Sequence, residues 1–98
     1  MRVVWPDQAE ADLDALSDYL LDRDAGAALR VYTAIRDRVA LLAEYPALGR
    51  PGRVDGTREL VVAQTPYIVP YSVDRRTESV IILRVLHGAR RWPDDFGI

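Results

Sequence analysis

Val80-Ile81-Ile82-Leu83-Arg84-Val85-Leu86-His87-Gly88-Ala89-Arg90-Arg91-Trp92-Pro93 is the stretch on which the fold turns. Its first half is aliphatic at successive rather than alternate positions, the pattern of a central strand buried on both faces. Its second half holds the only histidine of the chain, two arginines and a tryptophan. The backbone thus runs from the middle of a sheet into a cationic, aromatic surface, and sites are built where such residues sit on a rigid scaffold. Arg84 interrupts the apolar run, so its charge must reach a surface or be paired.

Upstream, Glu59–Ala63 and Tyr67–Val73 read as two further strands, and Val80–Leu86 as a third. Turns at Gln64-Thr65-Pro66 and Asp74-Arg75-Arg76-Thr77 make them an antiparallel meander. Pro70 has no N–H to give a ladder, which predicts an irregular or exposed point in its strand. Pro46–Gly56, with its prolines and glycines, is a loop. Before it the period is helical. Ala28, Tyr32, Ile35, Val39 and Leu42 form one stripe, and Ala9, Leu13, Leu16 and Leu20 another. Asp24-Ala25-Gly26 turns the chain between these helices, which predicts an antiparallel hairpin. Pro6 suits a first helical turn, and Asp7 with Glu10 resembles a capping pair. Arg2–Trp5 reads as an edge strand. The order β-α-α-β-β-β predicts one α+β domain over residues 1–98, its helix hairpin covering one face of a small sheet.

Composition narrows the chemistry. No cysteine is present, which excludes disulfides and thiolate metal sites, and a single histidine excludes the common zinc and two-histidine iron centres. No cofactor is expected. No apolar run approaches a membrane span and the N-terminus lacks a signal pattern, so a cytoplasmic protein without a membrane partner is expected. Residues 1–45 carry nine acidic and five basic side chains, and residues 46–98 carry six and eight. Every basic residue is arginine, the better choice for forked contacts to carboxylate or phosphate.

His87 has the side chain for general acid–base work, but no serine or cysteine nucleophile lies near it in sequence. A hydrogen-bonding structural role is the alternative. Arg58, Arg84, Arg90 and Arg91 could bind phosphate or a carboxylate-rich partner, and arginine beside Trp92 is the composition of an interface hot spot. The alternative is a solvated surface with ordinary ion pairs. Tyr67 and Tyr71 share a strand face and could stack on bases, or else pack with a wet hydroxyl. Asp12, Asp14, Asp18 and Asp22 lack the spacing of a calcium loop and read as a solvated helix face.

The chain resembles the RelE/ParE superfamily of bacterial toxins from toxin–antitoxin modules. Ala9-Glu10-Ala11-Asp12-Leu13, Tyr45-Pro46-Ala47-Leu48-Gly49-Arg50, Thr57-Arg58-Glu59-Leu60, Pro66–Val73 and Ile81–His87 carry the resemblance, in order, over nearly the whole chain. It implies a growth-arresting toxin in a hetero-oligomer with a cognate antitoxin of ribbon-helix-helix type. The antitoxin would lay an extended or helical segment over the toxin. RelE-like members cut mRNA on the ribosome, whereas ParE-like members poison DNA gyrase without hydrolysis.

Where the resemblance places lysines on the second strand of an RNase-type member, this chain has Glu59 and Val61. Where it places a catalytic arginine, this chain has Ile68. An anionic Glu59 would oppose RNA, and neither Trp92 nor Phe96 exchanges a proton as tyrosine does. The ParE-like branch is therefore expected, with no catalytic residue and with Arg58, Arg84, His87, Arg90, Arg91 and Trp92 meeting a partner. The alternatives are a ribosome-dependent mRNA endonuclease using His87, Arg84 and Arg90, and a degenerate toxin that only binds antitoxin.

Overall fold

A computed structural model describes residues 1–97. The elements run β1 (Arg2–Val4), α1 (Asp7–Leu21), α2 (Ala25–Ala40) with a further 3-10 turn at Leu41–Ala43, β2 (Arg50–Pro51), β3 (Arg58–Val61), β4 (Tyr67–Asp74), β5 (Ser79–Ile82) and β6 (Leu86–His87). The sheet order is β1-β5-β4-β3-β2, with β6 also on β4. β1 pairs parallel to β5, and the remaining pairings are antiparallel. The α+β layout and the edge position of β1 are as the sequence predicts. Arg50–Pro51, inside the predicted loop, adds a short strand on the other edge.

Both helices put their stripes on the inner face of the sheet. Ala9, Leu13 and Leu16 of α1 and Ile35 and Val39 of α2 meet Leu60, Val62, Val69, Tyr71, Val80 and Ile82 in one core. Asp24 caps α2, accepting from Ala27 N–H at 3.1 Å. The expected capping pair at α1 does not form, because Pro6 is the N-cap residue and no side chain caps it. Glu10 instead takes a forked contact from Arg36 at 3.1 and 2.9 Å, which fastens the hairpin. That bond holds the Arg36 guanidinium above its ordinary range, although partial burial opposes it.

The predicted third strand is not continuous, and Pro70 is the reason. Leu83 N–H donates to the Pro70 carbonyl at 2.9 Å. Within a strand a residue's N–H and C=O point the same way, so the N–H that proline lacks is missing on the same side. Tyr71 pairs with Ile82 but Ile68 pairs with Leu86, so one extra residue lies on the C-terminal strand. This is a bulge, and bulges re-aim the side chains they carry. Here it turns out Arg84 and frees the N–H of Val85.

Tyr71 is fully buried and its hydroxyl is dry. It donates to the Pro46 carbonyl at 2.7 Å and accepts from Gly49 N–H at 2.8 Å. A Cβ on Gly49 would stand 2.6 Å from the Tyr71 ring, so only glycine fits this approach. Burial pushes the Tyr71 phenol up, with the Gly49 N–H pulling the other way. Tyr71→Phe leaves one buried N–H and one carbonyl unpaired. We expect a loss of about 1–3 kcal/mol in denaturant unfolding, with no change in slope.

Candidate functional site

The bulge and the turn after β6 shape a cleft of about 350 Å³ between α1 and the C-terminal segment. Asp12, Leu16 and Tyr19 of α1 form one wall; Tyr67, Val85 and His87 form the floor; Arg90, Arg91 and Trp92 close the far side. Four of the six predicted site residues therefore meet: His87, Arg90, Arg91 and Trp92.

The turn is built around His87. Its carbonyl accepts from Arg90 N–H at 3.2 Å and from the Trp92 indole N–H at 3.0 Å. Its Nδ1 accepts from Ala89 N–H at 3.1 Å, so the proton of the neutral ring sits on Nε2. Gly88 N–H donates to the Pro66 carbonyl at 2.8 Å, and a Cβ there would come within 3.0 Å of Ile68. Tyr67, the cross-strand partner of His87, meets its ring edge-on at 5.8 Å and 81°. Burial raises the Tyr67 phenol and the nearby Arg90 charge lowers it, with the net result upward.

Arg84 reaches the cleft wall without offering it a free charge. Its Nε and Nη2 grip the Asp12 carboxylate at 2.6 and 3.0 Å, and Asp12 also accepts from Val85 N–H at 3.0 Å. The bond to Asp12 raises the Arg84 guanidinium against a smaller opposing effect of burial. Asp12 is thus not part of a solvated acidic face. Its place four residues before Leu16, on the border of the apolar stripe, is the sequence signal that marks it.

Arg58 stands apart. It pairs with Tyr71 at the opposite end of the β3–β4 ladder and donates to the Gly49 carbonyl at 2.7 Å. Trp92 is not an exposed anchor, being only 8% accessible. The Arg53 guanidinium lies 3.4 Å over its ring, a contact the sequence does not reveal. Arg53 in turn binds Glu59, which is buried and also takes Arg50. Glu59 therefore presents no bare negative charge to a ligand, and the repulsion expected of it is absent. Arg90 and Arg91 are the exposed cations of the cleft.

Residues 3–92 match the family model described as ParE toxin of type II toxin–antitoxin system, parDE. Y4kP of Sinorhizobium fredii is 47% identical over 92 residues, which is 94% of this chain and 93% of that protein. Toxin RelE2 of Caulobacter vibrioides is 39% identical, covering 91% of this chain and 97% of that one. Among solved structures, the chromosomal ParDE TA system from P. aeruginosa matches with TM-score 0.80 at 30% identity, over 89% of this chain and 95% of that one. The toxin–antitoxin complex RelBE2 from Mycobacterium tuberculosis matches with TM-score 0.61 at 26% identity, over 88% and 95%.

Proposed function

Since the chain belongs to the ParE toxin family of type II toxin–antitoxin systems, we propose that it arrests growth by gripping DNA gyrase through the His87 cleft. A cognate antitoxin of ribbon-helix-helix type would neutralise it. The ParDE and RelBE2 neighbours come from toxin–antitoxin systems, which supports such a partner.

One observation carries the choice of target: the Arg84 guanidinium is paired through Nε and Nη2 with the Asp12 carboxylate, which neutralises its charge. A phosphodiester-cleaving site needs cations aimed at the charge that develops on the phosphorane. Arg84, three residues before His87, is held by a carboxylate that itself lines the cleft. What remains is a half-buried Tyr67 and His87 with Arg90 and Arg91 at the rim. Aromatic groups beside exposed arginine form a surface that suits a protein partner. No helix among the described residues is long and apolar enough to cross a membrane.

The mRNA endonuclease reading keeps one observation in its favour. His87 Nε2 has no partner among the described residues, and Tyr67 and Arg90 lie beside it. A supercoiling assay separates the two. The purified protein is expected to inhibit gyrase, and Arg90→Ala with Arg91→Ala is expected to weaken inhibition by about tenfold or more while leaving unfolding stability within about 0.5 kcal/mol. Untouched supercoiling with codon-positioned cuts on translating ribosomes would establish the endonuclease instead. Neither effect, with normal growth on expression, would leave a degenerate toxin that binds antitoxin alone.

A further inference from the structure

The turn that presents Arg90 and Arg91 hangs on a side chain able to change its charge. Gly88 is fixed from outside, its N–H on the Pro66 carbonyl at 2.8 Å. Beyond it, Ala89, Arg90 and Arg91 are exposed. Among the described residues, the hydrogen bonds that draw this segment back all end on His87. Ala89 N–H donates to Nδ1 at 3.1 Å, Arg90 N–H to the carbonyl at 3.2 Å, and the Trp92 indole to the same carbonyl at 3.0 Å.

The bond to Nδ1 is the one that a proton abolishes. An imidazole nitrogen accepts only through its lone pair, and the imidazolium carries N–H on both nitrogens. Protonation at Nδ1 therefore sets donor against donor at Ala89. The acceptors of the turn are already taken: the His87 carbonyl receives two donors, and the Pro66 carbonyl receives Gly88. The groups around the ring offer it no free anion. Tyr67 of β4 meets it edge-on, Tyr19 and Asp12 of α1 line the same cleft, and Arg90 and Arg91 bring like charge. Asp12 is committed to Arg84 and to Val85 N–H. The charged ring swings out towards water, and Ala89 N–H loses its partner.

We propose that His87 is a proton-operated latch: neutral, it holds residues 89–92 in the turn, and protonated, it releases them. Its functional consequence rests on the reading of the cleft as the surface that grips gyrase. Arg90 and Arg91 lose their fixed positions as pH falls, and the grip weakens. The core takes no part, because Gly88 N–H on Pro66 and Leu83 N–H on Pro70 are backbone bonds without a titrating group.

The test is amide and indole hydrogen exchange by NMR on the free chain, from about pH 8 to about pH 5. The ring resonances of His87 are followed alongside, and each rate is taken relative to an unstructured amide at that pH. Protection of Ala89, Arg90 and the Trp92 indole is expected to fall about fivefold, with the midpoint of the imidazole. Gly88 and Leu83 are expected to keep theirs. Two variants bracket the latch. Asparagine carries Oδ1 where histidine carries Nδ1 and accepts from the N–H two residues on without titrating, so His87→Asn is expected to stay protected throughout. His87→Ala has no acceptor and is expected to be weakly protected at every pH. Protection that stays constant while the ring titrates, or that falls equally in His87→Asn, would overturn the latch. Supercoiling assays at both ends of the range, each set against gyrase alone, test the consequence. Equal inhibition at the two pH values would overturn it, whereas no inhibition at either, with the exchange result as expected, would strike the gyrase reading and leave the latch supported.

Discussion

Trp92→Ala is expected to cost about 3–5 kcal/mol of unfolding free energy, the range for truncating a buried large aromatic. The midpoint of thermal unfolding should fall by more than about 10 °C, given the few degrees per kcal/mol of a domain this size. The indole is nearly buried, it donates to the His87 carbonyl, and the Arg53 guanidinium lies on its face. Truncation removes all three contacts together. The His87 carbonyl then keeps only Arg90 N–H, and the turn that presents the cleft arginines loses its far support. Trp92→Phe keeps ring area but not the N–H and should cost about 1–2 kcal/mol. Denaturant melts of the three proteins decide the matter. A Trp92→Ala variant with the parental midpoint would mean that the indole is a contact residue after all. Toxicity lost through Trp92→Ala is therefore toxicity lost through folding, whereas loss through Arg90 and Arg91 reports on a partner.

That separation was not visible in the sequence, where Arg90-Arg91-Trp92 reads as one exposed unit. Periodicity does reveal both helices, the meander and the edge strand, because burial of one face imposes a repeat that survives without coordinates. Pro70 does announce an irregularity, since a missing N–H has a local cost. It falls, however, on the facing C-terminal strand, while β4 itself runs unbroken and Pro70 is buried, not exposed. What periodicity cannot supply is the identity of distant partners. Asp12 and Arg84 are 72 positions apart, and their pairing depends on how α1 crosses the bulge. Arg53 sits in a loop with no repeat at all, so nothing in its surroundings links it to Glu59 or Trp92. Glu59 shows the same limit. At a strand position it reads as a surface carboxylate, while the loop that folds over it turns it into a buried anchor.

Glu59→Gln is the variant that tests this anchor, with an expected loss of about 2–4 kcal/mol at neutral pH. The Glu59 side chain is only 4% exposed and accepts from Arg50, from the Arg53 guanidinium at 3.1 Å and from Arg53 N–H at 2.8 Å. Burial pushes its carboxyl upward, but the Arg53 N–H and the two guanidiniums outweigh burial and hold it below the usual carboxylate range. A folded pKa below the unfolded one means that the ionised form is favoured by folding. Its contribution is complete above the unfolded value of about 4.3 and disappears as pH falls through the lower folded value. Glutamine has no such dependence at this position. The stability gap between the two proteins is therefore expected to be widest near pH 7 and to shrink below about pH 4. Denaturant melts at intervals from pH 7 to pH 3 measure it, and a gap that stays constant over that interval would remove the carboxylate from the account. The effect should also travel. Arg53 released from Glu59 no longer has a fixed position over Trp92, so the indole N–H resonance of Trp92 should move in Glu59→Gln even though Glu59 does not line the cleft. A shift there, with the fold intact, ties a buried residue of β3 to the segment that carries Arg90 and Arg91.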